Sequence, residues 1–212
     1  MLLAGEREEI AGTCRRMLRD GLVTGTAGNV SVRVGDLVAI TPTGTPYESL
    51  TAEDVVVVGP DGGAAEGTRA PSAELPMHLA IYAAFPGTRA IVHTHSGYAT
   101  SVGTVLDELP AVHYAINALG GPVRVAPYAT FGTGALAAAV TRALDGRSAA
   151  LLRNHGAVAV GESLASAYDR AVRLEWLSEV YWRAALLGTP SVLTAGELAA
   201  ARDQAARTAY HS

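Results

Sequence analysis

The 212-residue sequence predicts one α/β domain in which helices cover a mixed β-sheet. Three observations carry that expectation. Strand-like apolar runs alternate along the chain with stretches of helical spacing, so neither an all-helical nor an all-strand architecture fits. Apolar residues make up 49% of the chain and charged residues 17%, which supplies a core and excludes disorder and coiled coil. No repeat, low-complexity linker or shift of composition marks a boundary. Residues 1–212 are therefore read as a single domain, with 194–212 as a terminal helix or tail.

Residues 6–20 carry helical spacing through Ile10, Cys14, Met17 and Leu18 and stop at Gly21. Cys14 lies on that apolar stripe and reads as a buried thiol; a lone cysteine excludes a disulfide framework and a cysteine-only zinc site. Residues 29–40 alternate around Gly35-Asp36, the pattern of a hairpin. Residues 55–58 form a short apolar strand turned by 59–63. Ser72 is expected to N-cap a helix running through Leu75, Leu79 and Tyr82 to Phe85, with Pro76 in its first turn and Pro86-Gly87 beyond its end. Residues 90–95 read as a buried strand that enters Ser96-Gly97 and a further helix. After a short strand at 123–127, Thr133 can cap an alanine-rich helix to Leu144. Residues 149–161 read as two strands joined around Asn154-His155-Gly156, and 162–187 as the longest helix.

Charge and composition narrow the function. Sixteen basic against twenty acidic residues give a net charge of −4, with no basic stripe and only 6% aromatics, so nucleic acid is not an expected partner. No run of apolar residues is long enough to span a bilayer. The first ten residues hold Glu6, Glu8 and Glu9 and lack the apolar segment of a signal peptide, so the expected compartment is the cytoplasm.

His93-Thr94-His95 is the most informative tripeptide. On a strand, alternate side chains share a face, so both imidazoles point one way and Thr94 the other. Two convergent ring nitrogens are part of a catalytic metal site, which usually takes three protein ligands; satisfied core histidines or a surface pair are the alternatives. The pair ends an apolar run, at a strand mouth where α/β sheets place ligands. His155, in the tight connection after 149–152, is the best-placed third ligand, or else a turn histidine bonded locally. His78 lies one turn after Glu74 and reads as a helix-surface residue, with support of that carboxylate as the alternative.

The stretches Gly28-Asn29-Val30-Ser31, Ile40-Thr41-Pro42-Thr43-Gly44, Pro71-Ser72-Ala73-Glu74, His93-Thr94-His95, Ala126 through Thr133 and Asn154-His155-Gly156 together resemble the zinc-dependent class II aldolase/adducin family. The resemblance spans about residues 5–190 and implies a central mixed or antiparallel sheet with helices on both faces. It further implies a Zn²⁺ ion held by His93, His95 and His155, with Glu74 as catalytic acid/base; three imidazoles also tolerate Mn²⁺ or Co²⁺. The reaction implied is reversible cleavage of a ketose 1-phosphate, resembling L-fuculose 1-phosphate, to dihydroxyacetone phosphate and an aldehyde. A cation stabilises the enediolate as a Lewis acid, and the chain contains no lysine, so a Schiff-base mechanism is excluded.

The same resemblance implies a phosphate site at Gly28, Asn29, Thr43, Gly44, Ser72 and Ala73, where glycines admit close backbone approach. The family's paired serines are here Ser72-Ala73, one hydroxyl fewer. Tyr114, from a neighbouring subunit of a homotetramer, is implied as the second proton donor, and Tyr210 is a weaker match to a tail tyrosine. Glu175, on the apolar face of the 162–187 helix, is expected to pair with an arginine. The competing readings are a sugar-phosphate 4-epimerase or dehydratase, a lyase or decarboxylase on an unphosphorylated substrate, and a non-catalytic adducin-like binding module. The 4-epimerases look to carry aspartate where this chain has Glu74.

Overall fold

A computed structural model describes residues 1–208; Tyr210 lies outside the described residues. Nine strands form one sheet: β1 (Asn29–Val34), β2 (Leu37–Ile40), β3 (Val56–Val58), β4 (Ala64–Glu66), β5 (Ala90–Thr94), β6 (Glu108–Leu109), β7 (Val123–Ala126), β8 (Ala149–Leu152) and β9 (Gly156–Gly161). Their order is β4-β3-β2-β1-β5-β9-β8-β7-β6, and every neighbouring pair is antiparallel except β7 with β8. The sheet is thus mixed, as the sequence predicts. The short strands β4 and β6, both near the sheet edges, and a 3₁₀ turn at Tyr114–Leu119 are additions that no apolar alternation announces.

Six helices, α1 (Ala4–Arg19), α2 (Leu75–Ala84), α3 (Gly97–Val105), α4 (Gly134–Ala143), α5 (Leu164–Leu187) and α6 (Ala195–Thr208), complete the described chain. Strand parity divides the core between the two faces of the sheet. Ala90 and Val92 of β5, with Ala157 and Ala159 of β9, meet Cys14, Val102, Tyr168 and Leu174 from α1, α3 and α5. Ile91, Val158 and Val160 point the other way, onto Met77 and Ile81 of α2 and Leu136 and Val140 of α4. Period-two alternation therefore places His93 on the face that α2 covers. Cys14 is buried, and burial pushes its thiol well above the usual range, which makes it a packing residue and not a nucleophile.

Caps follow local chemistry. Thr133 accepts from the Leu136 amide at the start of α4, and Ser163 with Ser166 forms a capping box on α5. The predicted cap of α2 is corrected. Ser72 Oγ instead accepts from the Glu74 amide at 3.2 Å, the helix begins at Leu75, and Glu74 occupies the cap position with its side chain turned away to the histidines. Helix α5 starts at Leu164 and runs 24 residues.

Candidate active site

Three segments converge on the α2 face of β5. Strand β5 ends in His93-Thr94, with His95 directly after it; the turn between β8 and β9 presents His155; the residue before α2 presents Glu74. The turn works because Asn154 takes φ of 54°, a left-handed conformation that asparagine tolerates, and the His155 amide returns to the Leu152 carbonyl at 3.2 Å. Gly28, just before β1, has φ of 76° and lies so close to β5 that a Cβ would come 2.6 Å from the His93 carbonyl oxygen.

One ligand atom from each of Glu74, His93, His95 and His155 lies within 4.8 Å of the other three. The imidazoles are mutually edge-on, with ring centroids 4.8–4.9 Å apart and interplanar angles of 74°, 78° and 90°. His93 Nε2 lies 3.0 Å from His95 Nε2 and 3.0 Å from Glu74 Oε2, and His155 Nε2 lies 3.4 Å from Glu74 Oε1. His93 Nδ1 donates to the Ala157 carbonyl at 2.9 Å, which leaves the Nε2 lone pair aimed into the cluster.

This donor set fits a divalent cation. Facing imidazole lone pairs and a carboxylate repel unless positive charge lies between them, and Glu74 Oε1 is buried without a hydrogen-bond donor. Ligands about 2.0–2.2 Å from one ion at tetrahedral angles lie roughly 3.3–3.6 Å apart, within the 3.0–4.8 Å spread of the four ligand atoms here. Burial and the neighbouring rings His93 and His155 push the His95 pKa down to about 3, and burial lowers that of His155 too, so both are neutral ligands at physiological pH. Burial works to raise the Glu74 pKa, but positive charge at the histidine cluster, together with the hydrogen bond that the carboxylate accepts from Asn29, outweighs it and holds the carboxyl below its ordinary range.

The cluster opens into a cleft of about 490 Å³. Gly28, Asn29, Thr43, Gly44, Ser72 and Ala73, the six residues assigned by resemblance to phosphate, all line it beside Glu74, His95 and His155. The aromatic rings of Tyr128 and Phe131, with Ala129, also line it; spacing alone did not single them out, although they lie inside one of the stretches carrying the resemblance. Tyr114 does not line this cleft. It stacks on His113, with centroids 4.4 Å apart, and faces a separate groove beside α6.

Two expectations are corrected. His78 is fully buried, bonded to Asn29 and Ser31, and is no surface residue. Among the described residues Glu175 pairs with no arginine: its carboxylate accepts from the Tyr98 and Ala99 amides at 2.9 and 2.8 Å and so caps the N-terminal end of α3, just after His95.

Residues 8–182 match the model of the family described as Class II Aldolase and Adducin N-terminal domain. The chain is 42% identical to a 5-deoxy-D-ribulose 1-phosphate aldolase of Bacillus thuringiensis serovar kurstaki, covering 93% of this chain and 94% of that one. It is 44% identical to an L-fuculose phosphate aldolase of Escherichia coli K12, covering 82% and 80%. A solved L-fuculose 1-phosphate aldolase superposes with a TM-score of 0.92 at 36% identity, covering 96% of this chain and 97% of the other.

Proposed function

This chain belongs to the class II aldolase and adducin family, and from that membership we propose a metal-dependent aldehyde-lyase that cleaves ketose 1-phosphates to dihydroxyacetone phosphate and an aldehyde. One observation carries the reading: a carboxylate and three inward-facing imidazoles meet at the floor of a cleft walled by backbone turns suited to a phosphate. An adducin-like binding module has no use for that convergence.

In the proposed chemistry, His93, His95 and His155 hold a divalent cation, zinc by family resemblance, which supplies Lewis-acid stabilisation of the negative oxygen that develops at C2. Gly28, Asn29, Thr43, Gly44, Ser72 and Ala73 hold the phosphate, through backbone amides where hydroxyls are missing. In cleavage the C3–C4 bond breaks, its electron pair stays with C3, and Glu74 in its acid form delivers a proton to C3. In synthesis the carboxylate takes that proton back. Tyr114 of a neighbouring subunit exchanges the proton on the C4 oxygen, which places the complete site between subunits of a homotetramer. Family resemblance supports a cytoplasmic location for the proposed enzyme; among the described residues no helix is long and apolar enough to cross a membrane.

The two relatives are named for substrates that share a C1 phosphate and a terminal methyl group. Side-by-side cleavage of L-fuculose 1-phosphate and 5-deoxyribulose 1-phosphate, with dihydroxyacetone phosphate release as the readout, tests the proposal. At least one is expected to turn over, and chelation to abolish that turnover until metal is restored. Inactivity on both in the metal-loaded protein, or full activity under chelator, refutes it.

A further inference from the structure

Beneath Glu74 a line of hydrogen bonds runs through Asn29 to His78, Ser31 and Tyr82, three side chains that the proposed chemistry leaves idle. Tyr82 OH lies 2.8 Å from Ser31 Oγ, and Ser31 Oγ lies 2.6 Å from His78 Nδ1. His78 Nε2 lies 2.5 Å from Asn29 Oδ1, and Asn29 Nδ2 lies 2.9 Å from Glu74 Oε2. All five residues are buried, Ser31 and His78 completely.

The charge on Glu74 gives this line one direction. A carboxylate only accepts, so it must face the NH₂ of Asn29, not its carbonyl. The Asn29 carbonyl then faces His78, and the ring proton sits on Nε2. Nδ1 is left to accept from Ser31, whose oxygen accepts in turn from Tyr82. Burial pushes the His78 pKa down to about 3, so the ring is neutral and carries one proton to place. An asparagine amide is nearly symmetric in shape, and only its partners prevent it from turning over. Turned over, Asn29 would set its carbonyl oxygen against the carboxylate.

We propose that His78 is a positioning residue: by donating from Nε2 to Asn29 Oδ1 it locks the amide NH₂ onto Glu74 Oε2. Oε1, the oxygen that accepts no hydrogen bond, is thereby left to exchange the proton at C3. This rests on the reading of Glu74 as the proton carrier.

The test follows proton transfer without needing the aldehyde. In D₂O, the metal-loaded enzyme should exchange one hydroxymethyl C–H of dihydroxyacetone phosphate for deuterium, read by proton NMR. Glutamine can set an amide near the position of ring Nε2, whereas asparagine reaches only that of Nδ1. H78N should slow exchange at saturating ligand roughly 10–100-fold, with half-saturation within about threefold of wild type, and H78Q should recover most of the loss. In an N29A background, H78N should change the rate by less than about twofold, because its path to Glu74 is already cut. Long-range ¹H–¹⁵N NMR of the unaltered protein should find His78 protonated on Nε2. Wild-type exchange in H78N beside an inactive E74Q overturns the inference, as do independent multiplying effects of H78N and N29A, or a ring protonated on Nδ1. Unchanged exchange in E74Q overturns instead the reading of Glu74 beneath it.

Discussion

Gly156 opens β9 with its Cα pressed against Thr94 of β5: a Cβ at that position would lie 2.1 Å from the Thr94 carbonyl oxygen and 3.2 Å from His95 Cδ2. Thr94 is flanked by His93 and His95, and Gly156 follows His155. The approach that glycine alone permits is therefore what brings the three rings together.

Gly156→Ala should damage fold and site at once. No rotamer relieves a methyl group against a main-chain oxygen, so the strands must part. Overpacking of this kind costs roughly 3 kcal/mol, and a fall in Tm of roughly 5–10 °C is expected for a chain of this length. Bound metal should fall with it. Thermal unfolding with parallel metal analysis checks this, and an alanine variant with wild-type Tm and a full metal complement would refute it.

Glu74→Gln separates metal binding from proton transfer. Glutamine keeps the shape and can still accept from Asn29 Nδ2, while the histidine nitrogens remain in place. The variant should retain its cation and lose roughly 10²–10⁴-fold in cleavage rate, the usual contribution of a placed acid/base. Normal cleavage by a metal-loaded Gln variant would end the proton-shuttle assignment while leaving the fold untouched.

Strand parity made the pair His93 and His95 legible from spacing: His93 lies on β5, His95 follows its last residue, and their Nε2 atoms lie 3.0 Å apart. His155 was not legible in the same way. Its place beside them depends on β9 pairing with β5, a contact between distant segments that local pattern does not encode. Glu175 and His78 show the same limit from the polar side. The partners of Glu175 are backbone amides of α3, which no residue type announces, and those of His78 arrive from β1. An apolar stripe identifies what a helix buries, but not which buried polar group will answer a polar one.

Tyr114 tests the assembly. It is 40% exposed and faces a groove other than its own chain's cleft, so the role proposed for it requires a second subunit. Tyr114→Phe should lower kcat at least about tenfold with little change in KM, because the phenol acts on the transition state. Co-expression of Tyr114→Phe with Glu74→Gln should then give mixed assemblies with activity that neither variant has alone, since some sites regain both groups. A mixture no more active than its parts would place the phenol elsewhere.

His78 predicts how acid unfolds the protein. Its folded pKa is depressed to about 3 by burial, against roughly 6.5 for a free imidazole. Between those values the unfolded chain binds a proton that the native chain refuses, so stability is full above about pH 6.5 and is lost as pH falls towards 3. His95 is depressed to about 3 as well and adds to the same slope when no cation is bound. Replacing His78 with glutamine removes one of these protons. Urea unfolding of the metal-free protein across that window should show a weaker variant at pH 7 whose stability falls less steeply with acid, by up to one proton per molecule. Equal slopes in the two proteins would mean that His78 takes up its proton while still folded, and that the line from Tyr82 to Glu74 yields before the core does.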